Sequence, residues 1–441
     1  MKKLALLILL LPSLALATTN EFFLSLRAHP AAKAAALLLE ASQQEATNAA
    51  NRLSLDASGG FLTRSLWPAD PCPLLDDPDP SNDVFCPYLT ATVPTKAAQA
   101  EVGVTFRAIA YGDIADHQQT AQLNYRTALI DYRSRIASLE ESALETALQF
   151  SLAQKANDLA GKGVEVAAAA LQATKIRHQK GAASNHDLLE AQLALERAST
   201  ELDNAASSLE LAEMSLRSFT TADPPSWPWP RLLPPADAEP PSVTKARLRL
   251  EQARVGLTHQ QRAFFPVGEI RYQHNFNDNS ALGISLETRT LGTRLYYSYQ
   301  GPADPTRHRT KDEVRLGLRL QVDQTGWGSL EAARSRLQAA TAALAASKKQ
   351  SEIELARLQL HIEQNERRLA LAKSSLKLAY NNYQDAQRRV ELGLAVPLEA
   401  QQAWLKYSQA QLDLLKCQQD LTRSQIAVLV YLGVPPSEVW K

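Results

Sequence analysis

The sequence lacks net charge. Forty-seven basic residues balance 47 acidic ones over 441 positions, so no field of one sign draws the chain to nucleic acid. It also lacks a recognisable reaction centre. Its eight histidines are scattered without metal-ligand spacing. No nucleophile–base pair, phosphate loop or pair of catalytic carboxylates stands out. The expectation is a non-enzyme without cofactor or metal. Beyond the N-terminus, no run approaches the roughly 18 consecutive apolar residues of a membrane-spanning helix. Glycine is sparse, at 17 residues, while alanine and leucine dominate, which is the composition of long helices in close contact.

What is present begins with a leader. Lys2 and Lys3 precede an apolar run from Leu4 to Leu16, and Ala15-Leu16-Ala17 fits a small-x-small cleavage site. Residues 1–17 therefore read as a secretory signal peptide, with the mature chain starting at Thr18. An exported chain without a spanning helix is either soluble outside the cytoplasm or embedded as a β-barrel, because only helices and closed barrels cross lipid. The next cysteine is far downstream, which excludes a lipid-modified N-terminal cysteine. Cys72 and Cys86 flank a stretch dense in Pro and Asp. They read as a disulfide closing a loop of about 15 residues, worth roughly 3 kcal/mol through chain entropy. A metal site is the weaker reading, because no histidine lies between them.

The chain repeats itself. A shift of 212 residues places Gly181 on Gly393, Arg177 on Arg389, Ala160 on Ala372 and Ala167 on Ala379. The same shift places Glu101, Val102, Val104, Phe106 and Arg107 on Glu313, Val314, Leu316, Leu318 and Arg319. Such self-similarity sets the architecture before any local reading. The expected layout is a first repeat over 18–221, a proline-rich linker over 222–241, a second repeat over 242–433 and a tail over 434–441.

Each repeat predicts a long helix, 113–180 and 328–392, then a short break and a returning helix, 184–221 and 397–432. Sixty-odd helical residues at 1.5 Å each make a rod of roughly 100 Å. A seven-residue stripe runs through Leu355, Ile362, Leu369, Leu376, Tyr383 and Val390, matched in the first repeat by Ala143, Phe150, Asn157, Val164, Leu171 and His178. The step from Leu344 to Leu355 is eleven residues, a stutter that lets a long coiled coil straighten. In the returning helix Leu188, Leu195, Leu202, Leu209 and Leu216 recur in heptads, with Ala191, Ala198, Ala205 and Ala212 three residues on. Large and small residues alternating along a seam let two helices approach closely. Cys417 falls on the equivalent small line with Ala403, Ala410 and Ser424, and reads as a seam residue rather than a reactive thiol.

Two segments alternate strictly. Val102, Val104, Phe106, Ala108 and Ala110 oppose Glu101, Gly103, Thr105 and Arg107; Val314, Leu316, Leu318, Leu320 and Val322 oppose Arg315, Gly317, Arg319 and Gln321. About ten residues with one apolar and one polar face is the pattern of a transmembrane β-strand, although a soluble sandwich gives the same signal. Weaker hairpin partners carry Leu53, Leu55 and Ala57, and Ile270 and Tyr272. The first hairpin is expected over about 51–111 with an external loop over 63–99, and the second set of strands over about 267–322. Leu282–Leu286 and Leu295–Tyr299 read either as two more strands or as an extended external loop. Four strands cannot close a barrel within one chain.

Signal peptide, tandem halves, strand hairpins, very long helices, glycine breaks and returning Leu/Ala heptads together resemble the TolC-like outer-membrane efflux protein family. The sharpest residues are Arg389-Val-Glu-Leu-Gly-Leu with Leu398-Glu399-Ala400-Gln401, and Gly181 with Asp187-Leu-Leu-Glu-Ala-Gln192. The resemblance implies a mainly α fold with a transmembrane β portion, assembled as a homotrimeric α/β barrel channel in which each chain gives four strands. It further implies an outer-membrane duct reaching into the periplasm, serving a tripartite efflux or type I secretion system. Its partners would be a periplasmic adaptor (membrane fusion) protein and an inner-membrane transporter. Leu392, Gly393 and Leu394 match the adaptor-docking tip; Lys180, Gly181 and Ala182 occupy the first tip but depart from the motif, and a plain helix stop at each glycine is the local alternative. Asp187 and Glu399, six residues after each glycine, correspond to acids of the aperture gate, with helix capping as the local alternative. Ala395 stands where well-known members carry a gating arginine. Arg107 and Arg319, on the polar strand face, would line the barrel lumen. The competing expectation is a periplasmic coiled-coil spacer or envelope tether. A periplasmic adaptor is disfavoured by the tandem duplication.

Overall fold

The computed structural model describes residues 21–65, 94–225, 228–235, 237–277, 279–301, 310–320 and 324–440. The leader and the Cys72–Cys86 pair lie outside these residues. Residues 21–27 are helical, followed by α1 (Pro30–Ala49), β1 (Leu53–Ser65), β2 (Pro94–Arg107), α2 (Asp113–Gln179), α3 (Asn185–Arg217) and α4 (Pro241–Arg262). Then come β3 (Val267–Asn275), β4 (Ser280–Glu287), β5 (Gly292–Gly301), β6 (Asp312–Arg319), α5 (Gln324–Glu391), α6 (Pro397–Tyr431) and the single turn α7 (Pro436–Val439). The strands β1 and β2 run further towards each other than the expected 63–99 loop allows, and α5 opens before the expected Gly328.

Two compact units result, and each draws on both halves of the sequence: the described residues within 1–42, 125–250 and 340–441 form one, and those within 43–124 and 251–339 the other. In the first, the heptad positions do what their spacing predicts. Leu355, Ile362, Leu369, Leu376, Tyr383 and Val390 are all half-buried, whereas most residues between them are exposed. Along α3 the line of Leu188 to Leu216 and the line of Ala191 to Ala212 are likewise the covered positions. The core joins Phe22, Phe23 and Leu26 to Ala143, Leu144 and Ala147 of α2, Leu216 of α3, Leu232 of the proline-rich linker, and Ile426 and Leu429 of α6. The linker is therefore a packed strap rather than a loose tether. Glu140 is buried here; it accepts hydrogen bonds from the Ser437 backbone N–H at 2.8 Å and from its hydroxyl at 2.7 Å. Burial raises its carboxyl above the ordinary value despite those donors.

The second unit holds one six-stranded antiparallel sheet, in the order β1-β2-β5-β4-β3-β6. The segments at Leu282–Leu286 and Leu295–Tyr299 are strands within it, which decides against the external-loop alternative. β5 pairs with β2 from Gly301↔Ala98 to Gly292↔Arg107, and β4 pairs with β3 from Ala281↔Asn275 to Glu287↔Glu269. Among the described residues, no helix is long and apolar enough to cross a membrane.

Candidate functional site

Two features are candidates for function, one in each unit. The first is the pair of breaks between long and returning helices. Gly181 and Gly393 take φ of +76° and +74°, a left-handed conformation that costs an L side chain strain but not glycine. Around each, the same double bond closes the helix. Ala182 N–H donates to Arg177 O at 2.8 Å and Gly181 N–H to His178 O at 2.9 Å; Leu394 N–H donates to Arg389 O at 2.8 Å and Gly393 N–H to Val390 O at 3.0 Å. These are paired Schellman closures, set by glycine at equivalent repeat positions.

The flanks of the two breaks differ. Leu392 and Leu394 are 73 % and 71 % exposed, so the second break presents bare leucines. Lys180, Gly181 and Ala182 are exposed too, but offer one charge and little apolar surface. Asp187 forms a capping box with Ser184: Ser184 N–H donates to Asp187 Oδ2 at 2.7 Å, and Asp187 N–H donates to Ser184 Oγ at 3.2 Å. Hydrogen bonding from the Ser184 backbone, and then from its side chain, holds the Asp187 carboxyl below the ordinary value. Glu399 instead faces Arg389 at 3.7 Å. Proline opens α6 without a side-chain cap. Across the two repeats, Arg177 Nη1 donates to the carbonyl oxygen of Ala395 at 3.3 Å. Sequence reading did not pair these residues, and no local pattern could have done so. On the seam, Cys417 is half-buried and desolvation raises its thiol, which agrees with a packing role.

The second feature is the sheet. Its register puts Leu53, Leu55, Phe61, Val102, Val104, Phe106, Leu295, Tyr297, Ile284, Ile270, Val314, Leu316 and Leu318 on one face, all exposed. The opposite face is polar and knitted together. Arg294 bonds to Asp56 on β1 and pairs with Glu101 on β2 at 2.7 Å. Tyr296, only 4 % exposed, lies with the guanidinium carbons of Arg271 and Arg294 at 5.6 and 5.5 Å from its ring centre. Its hydroxyl donates to Gln273 Oε1 at 3.1 Å. Gly283 makes room for it: a Cβ there would sit 2.3 Å from the tyrosine ring. Arg107 and Arg319 both line a cleft of about 920 Å³ on this face, together with Arg271, Arg289 and Arg294. The sequence picked out the first two; Arg289 and Arg294 were hidden by the undecided strand pair, and Arg271 lies on β3, which was read from Ile270 and Tyr272 alone.

Beside the sheet, Asp113, Asp116 and His259 bring ligand-type atoms within 4.8 Å of one another. Arg262 holds Asp116 at 2.7 Å and Arg289 holds Asp113 at 2.5 Å. Two guanidiniums already balance the two carboxylates, so the arrangement works as a salt-bridge clamp.

Tandem long helical hairpins joined to an amphipathic antiparallel sheet define the fold of the TolC-like outer-membrane channels. Among solved structures, the chain is similar to the outer membrane protein VceC of Vibrio cholerae, at 15 % identity and a TM-score of 0.65, covering 95 % of this chain and 96 % of that one. It is likewise similar to the CmeC outer membrane channel of Campylobacter jejuni, at 12 % identity and 0.65 over 94 % and 85 % of the two chains. CusC, described as forming a transmembrane channel, matches at 13 % identity and 0.68 over 95 % and 92 %. No family model and no curated protein matches the sequence.

Proposed function

We propose that the chain is the outer-membrane duct of a tripartite efflux or type I secretion system. It works as a homotrimer that carries cargo passively from a periplasmic adaptor and an inner-membrane transporter to the cell exterior. It performs no chemistry. The observation that carries the reading is the two-sided sheet: one face exposes apolar side chains on all six strands, with the His274–Asp312 pair at one end, and suits lipid, while a polar face crossed by ion pairs suits a water-filled lumen. The exposed Leu392 and Leu394 are the adaptor-docking surface, with the Lys180–Ala182 break as a weaker second contact. Arg389, Glu399, Arg177 and Asp187 brace the aperture, and Arg107 and Arg319 line the lumen. VceC and CmeC, which share the fold at low identity, are an outer membrane protein and an outer membrane channel.

The test is to express the full chain, fractionate the envelope and reconstitute the purified protein in planar bilayers. Extraction only with detergent, together with stepwise ion conductance, supports the duct. Release by osmotic shock with silent bilayers would overturn it in favour of a periplasmic spacer or tether.

A further inference from the structure

We infer that each chain contributes six strands, not four, to the membrane wall, and that β6 of one copy pairs with β1 of the next. The inference rests on the trimeric duct proposed above and adds to it the size and joints of its barrel.

The β4–β5 hairpin sits in the middle of the sheet, between β2 and β3, and pairs along their length. Its outward residues Leu282, Ile284, Leu295, Tyr297 and Tyr299 are apolar, exposed and in phase with those of β2 and β3. A surface loop has no reason to keep that alternation, because its two faces meet the same solvent; a strand between lipid and water must keep it. The opposite face is tied across the hairpin as well, since Arg294 and Tyr296 of β5 reach Asp56 on β1, Glu101 on β2 and Gln273 on β3.

The β4–β5 turn is also anchored. Arg289 pairs with Asp113 at the start of α2. Gly112, at φ +57°, lies so close to the Arg289 carbonyl that a Cβ would come within 1.9 Å of it. The hairpin therefore ends where the strands meet the helices, as β1, β2, β3 and β6 do.

Two edges remain. Among the described residues, β1 and β6 each have a neighbour on one side only. An open edge in hydrocarbon leaves a row of amides and carbonyls without partners, which lipid cannot supply. β1 leads away from the helices and β6 leads back towards them. A β6–β1 joint between copies thus continues the antiparallel order without a break. Three copies of a six-stranded sheet make eighteen strands. Barrel diameter grows roughly in proportion to strand number, so the wall would be about half as wide again as one built from four strands per chain.

Paired cysteines in the full chain, in a Cys417→Ser background and in native membranes, test this directly. Val104 and Leu295 are register partners, so V104C/L295C should close within one chain under mild oxidation. V104C/I270C should stay open, because two intervening strands separate those positions by roughly 14 Å. A57C/L316C lies about 24 Å apart within a chain. It should cross-link only between copies, as a ladder ending at three on denaturing gels. Closure of V104C/I270C would overturn the six-stranded wall, since β2 and β3 would then be neighbours. Absence of the A57C/L316C ladder would overturn the joint. A protein that conducts ions yet closes V104C/I270C keeps the duct and loses the wider barrel; one that does not conduct loses both.

Discussion

Arg177, in the last turn of α2, donates to the carbonyl oxygen of Ala395, in the break that follows α5, at 3.3 Å. The residue that matches Arg177 in the second repeat, Arg389, turns instead to Glu399 at 3.7 Å. One sequence position, duplicated, thus serves two purposes: it crosses to the other hairpin in one repeat and braces its own in the other. Position 395 is alanine, and its backbone carbonyl is what accepts the bond from Arg177.

On the duct proposed above, this arrangement predicts how the helix breaks respond to mutation. Arg177→Ala removes a hydrogen bond worth about 1 kcal/mol and leaves the Ala395 carbonyl, in a residue only 8 % exposed, without its donor. Single-channel recordings should show a several-fold rise in open time, with Arg177→Lys in between. Glu399→Gln should stay near the parent, because its exposed pair is worth under about 1 kcal/mol. Equal open times for Arg177→Ala and the parent would remove Arg177 from the lock.

The breaks separate docking from folding. Gly393→Ala forces an alanine to φ +74°, at a cost of about 1–2 kcal/mol, and nothing lies within 4 Å of its new Cβ. It should lower the melting temperature. Leu394→Asp changes a side chain that is 71 % exposed. It should leave the melt unchanged and abolish cross-linking to the adaptor. If capture survives Leu394→Asp, the leucines are not the docking surface.

Two carboxylates predict opposite responses to pH. The folded Asp187 carboxyl lies below its ordinary value because Ser184 donates to it. Its stabilisation is therefore present above the ordinary value and disappears as pH falls through the folded one. The folded Glu140 carboxyl lies above its ordinary value because burial dominates. Its contribution is complete below the ordinary value and is lost as pH rises through the folded one. Melts of Asp187→Asn against the parent should converge as the solution is acidified. Melts of Glu140→Gln should instead shift in the variant's favour as pH rises from the acid side. Parallel curves for both would show that neither group is coupled to folding.

Much of the helical part was legible because its signal is local and repeated. Leu188 to Leu216 and Leu355 to Val390 mark their seams by spacing alone, and burial follows them residue by residue. The glycine breaks were equally plain, because only a left-handed residue closes a helix that way. The sheet was half legible. Alternation identified β2 and β6, but the same alternation at Leu282 and Leu295 could not say whether those segments pair with the sheet. That depends on register, which is a property of the partner strand rather than of the segment itself. Arg294 and Tyr296 were missed for the same reason, although Gly103 and Gly283, polar-face positions emptied for large neighbours, were the available clue.

Arg294 provides the sharpest electrostatic prediction for the polar face. It meets two carboxylates, Asp56 and Glu101, and lies against Tyr296. Arg294→Ala removes one positive charge per chain and leaves both acids unpaired. Because Gly103 faces the Arg294 side chain, the truncation opens space without forcing a backbone shift, so the sheet should still assemble and insert. In a lumen, fixed charge sets which ion enters, since the narrow water-filled wall focuses the field of its ionised groups. The reversal potential under a potassium chloride gradient should therefore move towards the cation value, and the shift should shrink at molar salt, where screening falls to about 3 Å. Arg294→Lys, which keeps the charge, should restore the parent value. An unchanged reversal potential in Arg294→Ala would mean that this face of the sheet does not line the conducting path.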